Sequence, residues 1–501
     1  MKRWTAGAAA LALAGCTVGP DFHRPETASP ARFGSEPTDV ASTFTGAEAE
    51  VRWWQSFDDP ELTSLVDRLA RQNLDLQAAA ERIRQARGAR DIAASQGLPH
   101  LNGRGTYERT RISPNGEASL EEPAPGAPLE FNLFRSALSA AWEIDLFGRV
   151  RRAVEAANAT TEAAVEARHS VALSAIADLA QTYCQLRAAQ AQERIVRTNL
   201  QLADRRRALV RNRFANGVAT TLEVAQADAQ SLAIAQDLPS LLAQEAALTN
   251  ALGFLLSEPP RTLQAELSRP VAQPLVPPQV PLGVPADLTR RRPDVREAEA
   301  RLHTATAQTG VAVANFFPDV TLNGSFGFES LQASTLFSWA SRQFNVGPTV
   351  NLPIFQGGQL KGTLTLREAA QREAAIQYRQ TVLQAWHDVD NALTGYAQAQ
   401  HLRVASFDTA QADRRALTAA DQQYAQGVTT LLDVITAQEA VLRGDNNVVQ
   451  AQLQVETRLV DLYKALGGGW QAVPEPGPAP PTRAGLGHLL HYDKPVAPPK
   501  K

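Results

Sequence analysis

The sequence predicts an α+β membrane protein that carries its fold twice, with strand pairs joined to very long coiled-coil helices. Three observations carry that reading. Asp75 and Asp294, Ile83 and Leu302, and Pro99 and Pro318 recur at one constant spacing, and Phe214-Ala215-Asn216-Gly217-Val218 is echoed by Tyr424-Ala425-Gln426-Gly427-Val428. Such self-similarity marks two copies of one large unit. Long stretches hold neither Pro nor Gly, and short segments ahead of them alternate apolar and polar residues.

Residues 1–15 read as a signal peptide: a basic start at Lys2-Arg3, an Ala/Leu run, then Leu13-Ala14-Gly15 before Cys16. The ending is similar to a bacterial lipobox, which would place acyl chains on Cys16. The second cysteine, Cys184, cannot form an intramolecular disulfide with a lipidated Cys16, so no disulfide framework is expected, and it reads as a small buried residue. The formal charge of −3 gives no electrostatic case for nucleic acid. Beyond the signal, no apolar run reaches the roughly 18–20 residues of a membrane-spanning helix. A bilayer crossing would therefore use strands.

Repeat 1 is assigned to 16–257 and repeat 2 to 287–470, with a Pro-rich connector at 258–286. The Pro-rich tail, 471–501, is expected to be disordered. In repeat 1, residues 150–214 are dense in Ala, Gln, Arg, Glu and Leu, all strong helix formers. At 1.5 Å per residue they make about 100 Å of helix. Ile176, Leu179, Tyr183 and Leu186 have coiled-coil spacing. Gly217 breaks the run, and a second helix is expected from Thr221 to about Leu255, closing a hairpin over 149–257. Repeat 2 has the same plan over 359–466, with its break at Gly427.

Each hairpin follows a strand pair. Over 318–354, Val320, Leu322, Gly324, Phe326 and Phe328, and then Phe344, Val346, Pro348, Val350 and Leu352, alternate with polar residues, as membrane strands do. Over 100–145, Phe134, Leu138, Ala140, Trp142 and Ile144 share a face, and Leu101–Arg111 is weaker. Four strands in lipid leave two edges unpaired, at several kcal/mol per lost partner. Two copies give a filled eight-strand barrel; three give twelve strands and a lumen, with twelve helices as a continuing tube. The expected assembly is a trimer.

Several suggestive groups read as structural. Gly357-Gly358-Gln359-Leu360-Lys361 lacks phosphate-loop spacing, and Trp386-His387-Asp388 sits mid-helix without a nucleophile. Arg290-Arg291-Arg292 is assigned to packing. The eight histidines show no metal-ligand spacing. Neither enzyme chemistry nor a cofactor is expected.

Cys16-Thr17-Val18-Gly19-Pro20-Asp21-Phe22, Trp53-Trp54, Phe57, Asp59-Pro60, Arg291-Arg292-Pro293-Asp294, Ala298-Glu299, Gly310-Val311-Ala312 and Phe317-Pro318 together resemble the TolC-type outer membrane factor family, in its NodT-like lipoprotein branch. The resemblance implies a trimeric twelve-strand barrel on a periplasmic α-helical tunnel, with a mixed equatorial region. It implies the exit duct of a tripartite efflux system, lipid-anchored in the outer membrane. A periplasmic adaptor and an inner-membrane pump, most often of the RND class, are the implied partners. Thr17 after the cysteine, in place of Asp, fits the outer-membrane destination. The tip residues Phe214, Gly217, Tyr424 and Gly427 match positions where adaptors dock. Glu223 and Asp433 match acids that crowd the closed aperture, where mutual repulsion would raise their pKa. A second acid and a cation of the best-known pattern are replaced by Thr436 and Thr429. The outer-membrane arm of a type I protein secretion system is the alternative within the fold, and a coiled-coil scaffold lipoprotein without conductance the alternative outside it.

Overall fold

A computed structural model describes residues 17–26, 34, 40, 42–45, 50–113, 115, 129–269, 271–274, 277, 279–282, 288–475 and 477. The signal peptide, Cys16, part of the connector and nearly all of the tail lie outside the described residues. In chain order the elements are β1 (Thr43–Thr45), a 3-10 turn (Trp53–Phe57), α1 (Pro60–Gln72), α2 (Leu74–Ser95), β2 (His100–Arg111), β3 (Glu130–Ile144) and α3 (Arg149–Ala215). Then come α4 (Thr221–Ala235), α5 (Leu238–Leu255), α6 (Gln264–Leu267), β4 (Gln279–Pro281), α7 (Leu288–Arg291), α8 (Pro293–Ala314), β5 (Asp319–Ser330), β6 (Arg342–Asn351), α9 (Gln359–Ala425) and α10 (Leu431–Ala465).

α3 and α9 are 67 residues each, about 100 Å of helix. Each follows a glycine in the left-handed region, Gly148 at φ +84° and Gly358 at φ +91°, which turns the chain from strand to helix. The return limb of the first hairpin departs from the sequence expectation of one helix. It is two helices, α4 and α5, with Pro239 in the first turn of the second. Proline cannot donate its i−4 hydrogen bond and its ring crowds the preceding turn, so the helix restarts there. The second hairpin has no proline at the matching place, and α10 runs unbroken for 35 residues.

β2, β3, β5 and β6 form one antiparallel sheet in that order. Its register fixes two faces. Tyr107, Phe134, Leu138, Trp142, Leu322, Phe326, Phe344 and Val346 share one. The other carries Asn102, Arg104, Thr106, Arg135, Ser139, Thr321, Asn323, Asn345 and Thr349, with Phe131, Leu133, Ala137 and Ala141 of β3 as apolar exceptions. The sheet's edges, β2 and β6, are unpaired among the described residues.

The main core lies at the waist of the helices. Trp53, Trp54, Phe57, Leu62, Leu65 and Leu69 pack against Ile176, Leu179 and Tyr183 of α3, Leu393 and Tyr396 of α9, and Leu459 and Tyr463 of α10. Trp53 stacks on Tyr463 at 5.2 Å and donates Nε1 to the Gly468 carbonyl. Asp59 caps α1 through the Glu61 and Leu62 amides and accepts from the Tyr183 hydroxyl at 2.7 Å. The parallel pair β1–β4 closes this layer. Cys184 is free and fully buried here. Helix ends meet across it: Arg292 donates to the Ala465 carbonyl at the end of α10, and Asn73, capping α2, donates to the Leu255 carbonyl at the end of α5. Those bonds satisfy carbonyls that a helix end otherwise leaves open. Upper and lower helices thus continue one another. At the C-terminal side, His169 lies between the Glu166 and Glu475 carboxylates at 3.1 and 3.0 Å and stacks on Trp470, fastening residues 470–475 to α3.

Residues 17–24 run as a strap along α3 and α8. Val18 donates to the Phe147 carbonyl, Arg152 bonds Asp21 at 2.5 Å, Phe22 stacks on His303, and Arg24 forks onto Glu299. Gly19 and Gly310 sit so close that a Cβ on Gly19 would meet the Gly310 Cα at 2.5 Å. Thr17, next to the acylation candidate, rests against Gly148 at the junction of sheet and helix.

Candidate functional site

The helical hairpins end in two turns of matching geometry. Gly217 and Gly427 both have φ +75°, and each donates its amide three residues back, to Phe214 and Tyr424, while Val218 and Val428 donate to Arg213 and Gln423. This bond pair closes the carbonyls of a helix C-terminus, and it needs a left-handed residue that glycine supplies without strain.

Glu223 and Asp433 each occupy the third position of the helix that follows. Glu223 Oε2 accepts from the Thr220 amide at 2.7 Å, and Thr220 Oγ1 accepts from the Glu223 amide at 3.2 Å. This reciprocal arrangement is a capping box. Asp433 Oδ2 accepts from the Thr429 hydroxyl at 2.6 Å, the Thr430 amide at 3.0 Å and the Thr430 hydroxyl at 2.6 Å. These donors stabilise the ionised carboxyl. The Thr430 and Thr429 contacts, the Thr429 hydroxyl foremost, hold Asp433 down to about 2, and the Thr220 amide holds Glu223 below the usual carboxylate range. The upward shift anticipated from crowding concerns several copies; within one chain the caps act the other way.

The hairpins are also tied to each other. Tyr424 donates its hydroxyl to Glu223 Oε1 at 3.1 Å, and the Arg213 guanidinium lies 5.1 Å above the Tyr424 ring. Partial burial, then the Glu223 carboxylate, raises the Tyr424 hydroxyl above its ordinary value, which keeps it a donor. Beneath this link Val210, Ala227, Leu431 and Ile435 form a small buried cluster from three helices. Farther from the tip, Arg206 of α3 bonds Asp421 of α9 at 3.1 Å and also Gln438 of α10, which accepts in turn from Gln230 of α4. Arg206, Arg213 and Gln438 were not singled out in the sequence. Charged and amide residues on a helix are ordinary, and their partners lie about two hundred residues away in the chain.

The tips expose several large apolar side chains. Phe214, Val218 and Leu222 of the first hairpin and Val428 and Leu432 of the second are all exposed. Glu223 and Tyr424 are therefore brought together across the hairpins. Phe214, Gly217 and Gly427 lie at the ends, and the Asp433 side chain bonds within its own turn. Cys16 lies outside the described residues. No cluster of metal ligands occurs among the described residues, and no helix among them is long and apolar enough to cross a membrane.

The chain matches the outer membrane efflux protein family model over residues 65–256 and 284–468. It is 33% identical over 425 residues to the pyoverdine export outer membrane protein OpmQ of Pseudomonas aeruginosa, covering 84% of this chain and 88% of that one. It is 29% identical over 480 residues to nodulation protein T of Rhizobium leguminosarum bv. trifolii, covering 95% and 99%. The solved outer-membrane channel OprN superposes with a TM-score of 0.83 at 34% identity, over 91% of this chain and all of that one. With most of the chain inside the matched segments, and an antiparallel sheet joined to long helices, the chain belongs to the outer membrane efflux protein family and is an outer membrane efflux channel whose helices project into the periplasm.

Proposed function

We propose that three copies pool their sheets into a twelve-strand barrel and their helices into a twelve-helix tunnel, with a gated aperture at the hairpin tips. The duct would passively conduct what an inner-membrane pump, of the RND class, and a periplasmic adaptor deliver to it. The observation that carries this reading is the sheet. It has an apolar face and a polar face, and edges β2 and β6 left open among the described residues. Open edges in hydrocarbon cost several kcal/mol for each lost partner, and further copies remove that cost.

At the other end, the Tyr424–Glu223 link and the Arg206–Asp421–Gln438 bonds hold the two hairpins of a chain together. Glu223 and Asp433 would supply the carboxylates of the aperture, three of each by symmetry. The exposed Phe214, Val218, Leu222, Val428 and Leu432, around Gly217 and Gly427, offer an adaptor an apolar docking surface. Acyl chains on Cys16 would enter the inner leaflet, since Thr17 sits at the junction of sheet and helix.

Purified full-length protein in planar bilayers should give discrete conductance steps and cross-link to trimers in detergent. A stable detergent monomer without conductance would overturn the assembly.

A further inference from the structure

The end of the sheet away from the helices carries different charge on its two faces. On the apolar face the last residues are Arg109 and Arg111 of β2, Glu130 of β3 and Arg342 of β6. Arg109 and Arg111 share the Glu130 carboxylate at 3.1 and 2.7 Å. Arg342 donates to the Trp339 carbonyl at 2.7 Å and lies 4.4 Å from that ring's centre. Three guanidinium groups thus face one carboxylate, and the first two are 65% and 71% exposed. Each guanidinium has five donors, so most remain free for another acceptor. On the polar face, on the Thr106 rung below Arg109 and Arg111, the balance is reversed: Arg135 stands between Glu329 and Glu108, at 2.6 and 3.7 Å.

Aromatic rings flank these arginines: Tyr107 against Phe134 lies one rung below Arg109, and Phe328, the register partner of Arg342, meets Phe337 of the β5–β6 connection. Phe337 and Trp339 are 71% and 69% exposed. Indole and phenyl rings beside guanidinium groups at this end of the sheet suit the boundary between acyl chains and headgroups. The helices lie on the periplasmic side, so this rim faces the outer leaflet.

We propose that Arg109, Arg111 and Arg342 form a binding site for the phosphate groups of an outer-leaflet phosphorylated glycolipid, whose acyl chains lie along the aromatic band. This rests on the barrel reading, in which the apolar face meets lipid. Guanidinium groups pair phosphate oxygens in a fork, and they do so more strongly at a dehydrated headgroup boundary than in water. In a closed barrel, edge β6 of one copy abuts edge β2 of the next, which would put Arg342 on the strand beside the one that carries the neighbour's Arg109 and Arg111.

Full-length protein reconstituted into phosphatidylcholine vesicles containing bisphosphorylated lipid A, then re-extracted, is assayed by mass spectrometry for retained lipid A. Wild type should retain it, and the R109Q/R111Q/R342Q variant should retain about tenfold less. R109K/R111K/R342K, which keeps the charge but loses the fork, should fall between wild type and the Gln variant, and R104Q/R135Q, altered on the polar face, should leave retention unchanged. Dephosphorylated lipid A should be lost from wild type. Equal retention by wild type and the triple Gln variant, or retention independent of phosphate, overturns the site. Conductance is recorded from the same vesicles: channels without phosphate-dependent retention refute this proposal alone, whereas absent conductance refutes the barrel beneath it.

Discussion

At Asp433 one carboxylate oxygen both caps α10 and carries the charge assigned to the aperture, since Oδ2 takes all three Thr429 and Thr430 donors. Replacement by Ala removes both functions, and loss of a cap costs about 1 kcal/mol. Asp433→Asn separates them, because an amide oxygen can still accept from the Thr430 amide. Its channel should fold normally yet show weaker cation preference in reversal potentials across a salt gradient. The Thr429 and Thr430 donors, which lower the carboxyl to about 2 within one chain, should keep the wild-type preference from pH 7 to pH 4, and its loss in that range would show that crowding among copies outweighs the caps. Unchanged selectivity in Asp433→Asn would remove this residue from the aperture. Glu456 has the opposite shift. It is fully buried, Oε2 has no partner, and burial pushes the carboxyl up to about 8 from an ordinary 4.5. The folded state therefore keeps a proton that the unfolded chain releases. Its stabilising effect is fully present below about pH 4.5 and is lost as pH rises through about 8, by up to about 1.4 kcal/mol per pH unit. Thermal melting of Glu456→Gln should show a flatter decline between pH 5 and 8 than wild type. Parallel profiles would mean that Glu456 is already ionised in the fold.

Between α9 and α10 the helices approach closely at Gly444, where an added Cβ would meet Asp413 Oδ2 at 2.9 Å and the Ala410 Cα at 3.3 Å. Backbone cannot yield as a long side chain can. Gly444→Val should therefore force the hairpin apart and destabilise it by about 1–3 kcal/mol, read as a lower melting temperature. An unchanged melting temperature would show that the hairpin has room there. Elements of this kind differ in how openly the sequence displays them. The length of α3 was legible because strong helix formers run from 150 to 214 without Gly or Pro, that of α9 because it repeats the same plan, and the tips because Gly217 and Gly427 recur in matching turns. The restart at Pro239 was overlooked against an otherwise helical pattern. The Tyr424–Glu223 link had no local signal, since its partners are 201 residues apart and each looks like a routine helix-end residue. The waist core was hidden for the same reason, being assembled from segments spread from Trp53 to Val473.

For the whole molecule, the decisive physical contrast is between adjacent residues of β6. Val346 and Asn345 lie next to each other in the chain but on opposite faces, paired with Gly324 and Ser325 of β5. Both are exposed in a single copy, so nothing local distinguishes them. In a barrel embedded in lipid they have different surroundings: Val346 faces hydrocarbon near mid-strand, and Asn345 faces water in the lumen. An arginine in the hydrocarbon costs about 2–4 kcal/mol at mid-membrane, whereas a luminal one keeps its hydration. Three copies multiply the penalty in the assembled channel. Val346→Arg should therefore sharply reduce folded trimers recovered from the outer membrane, and Asn345→Arg should leave trimer yield near wild type while altering ion selectivity. Equal tolerance of both would mean that this sheet does not line a pore through the bilayer, and the helices would have to serve some other assembly.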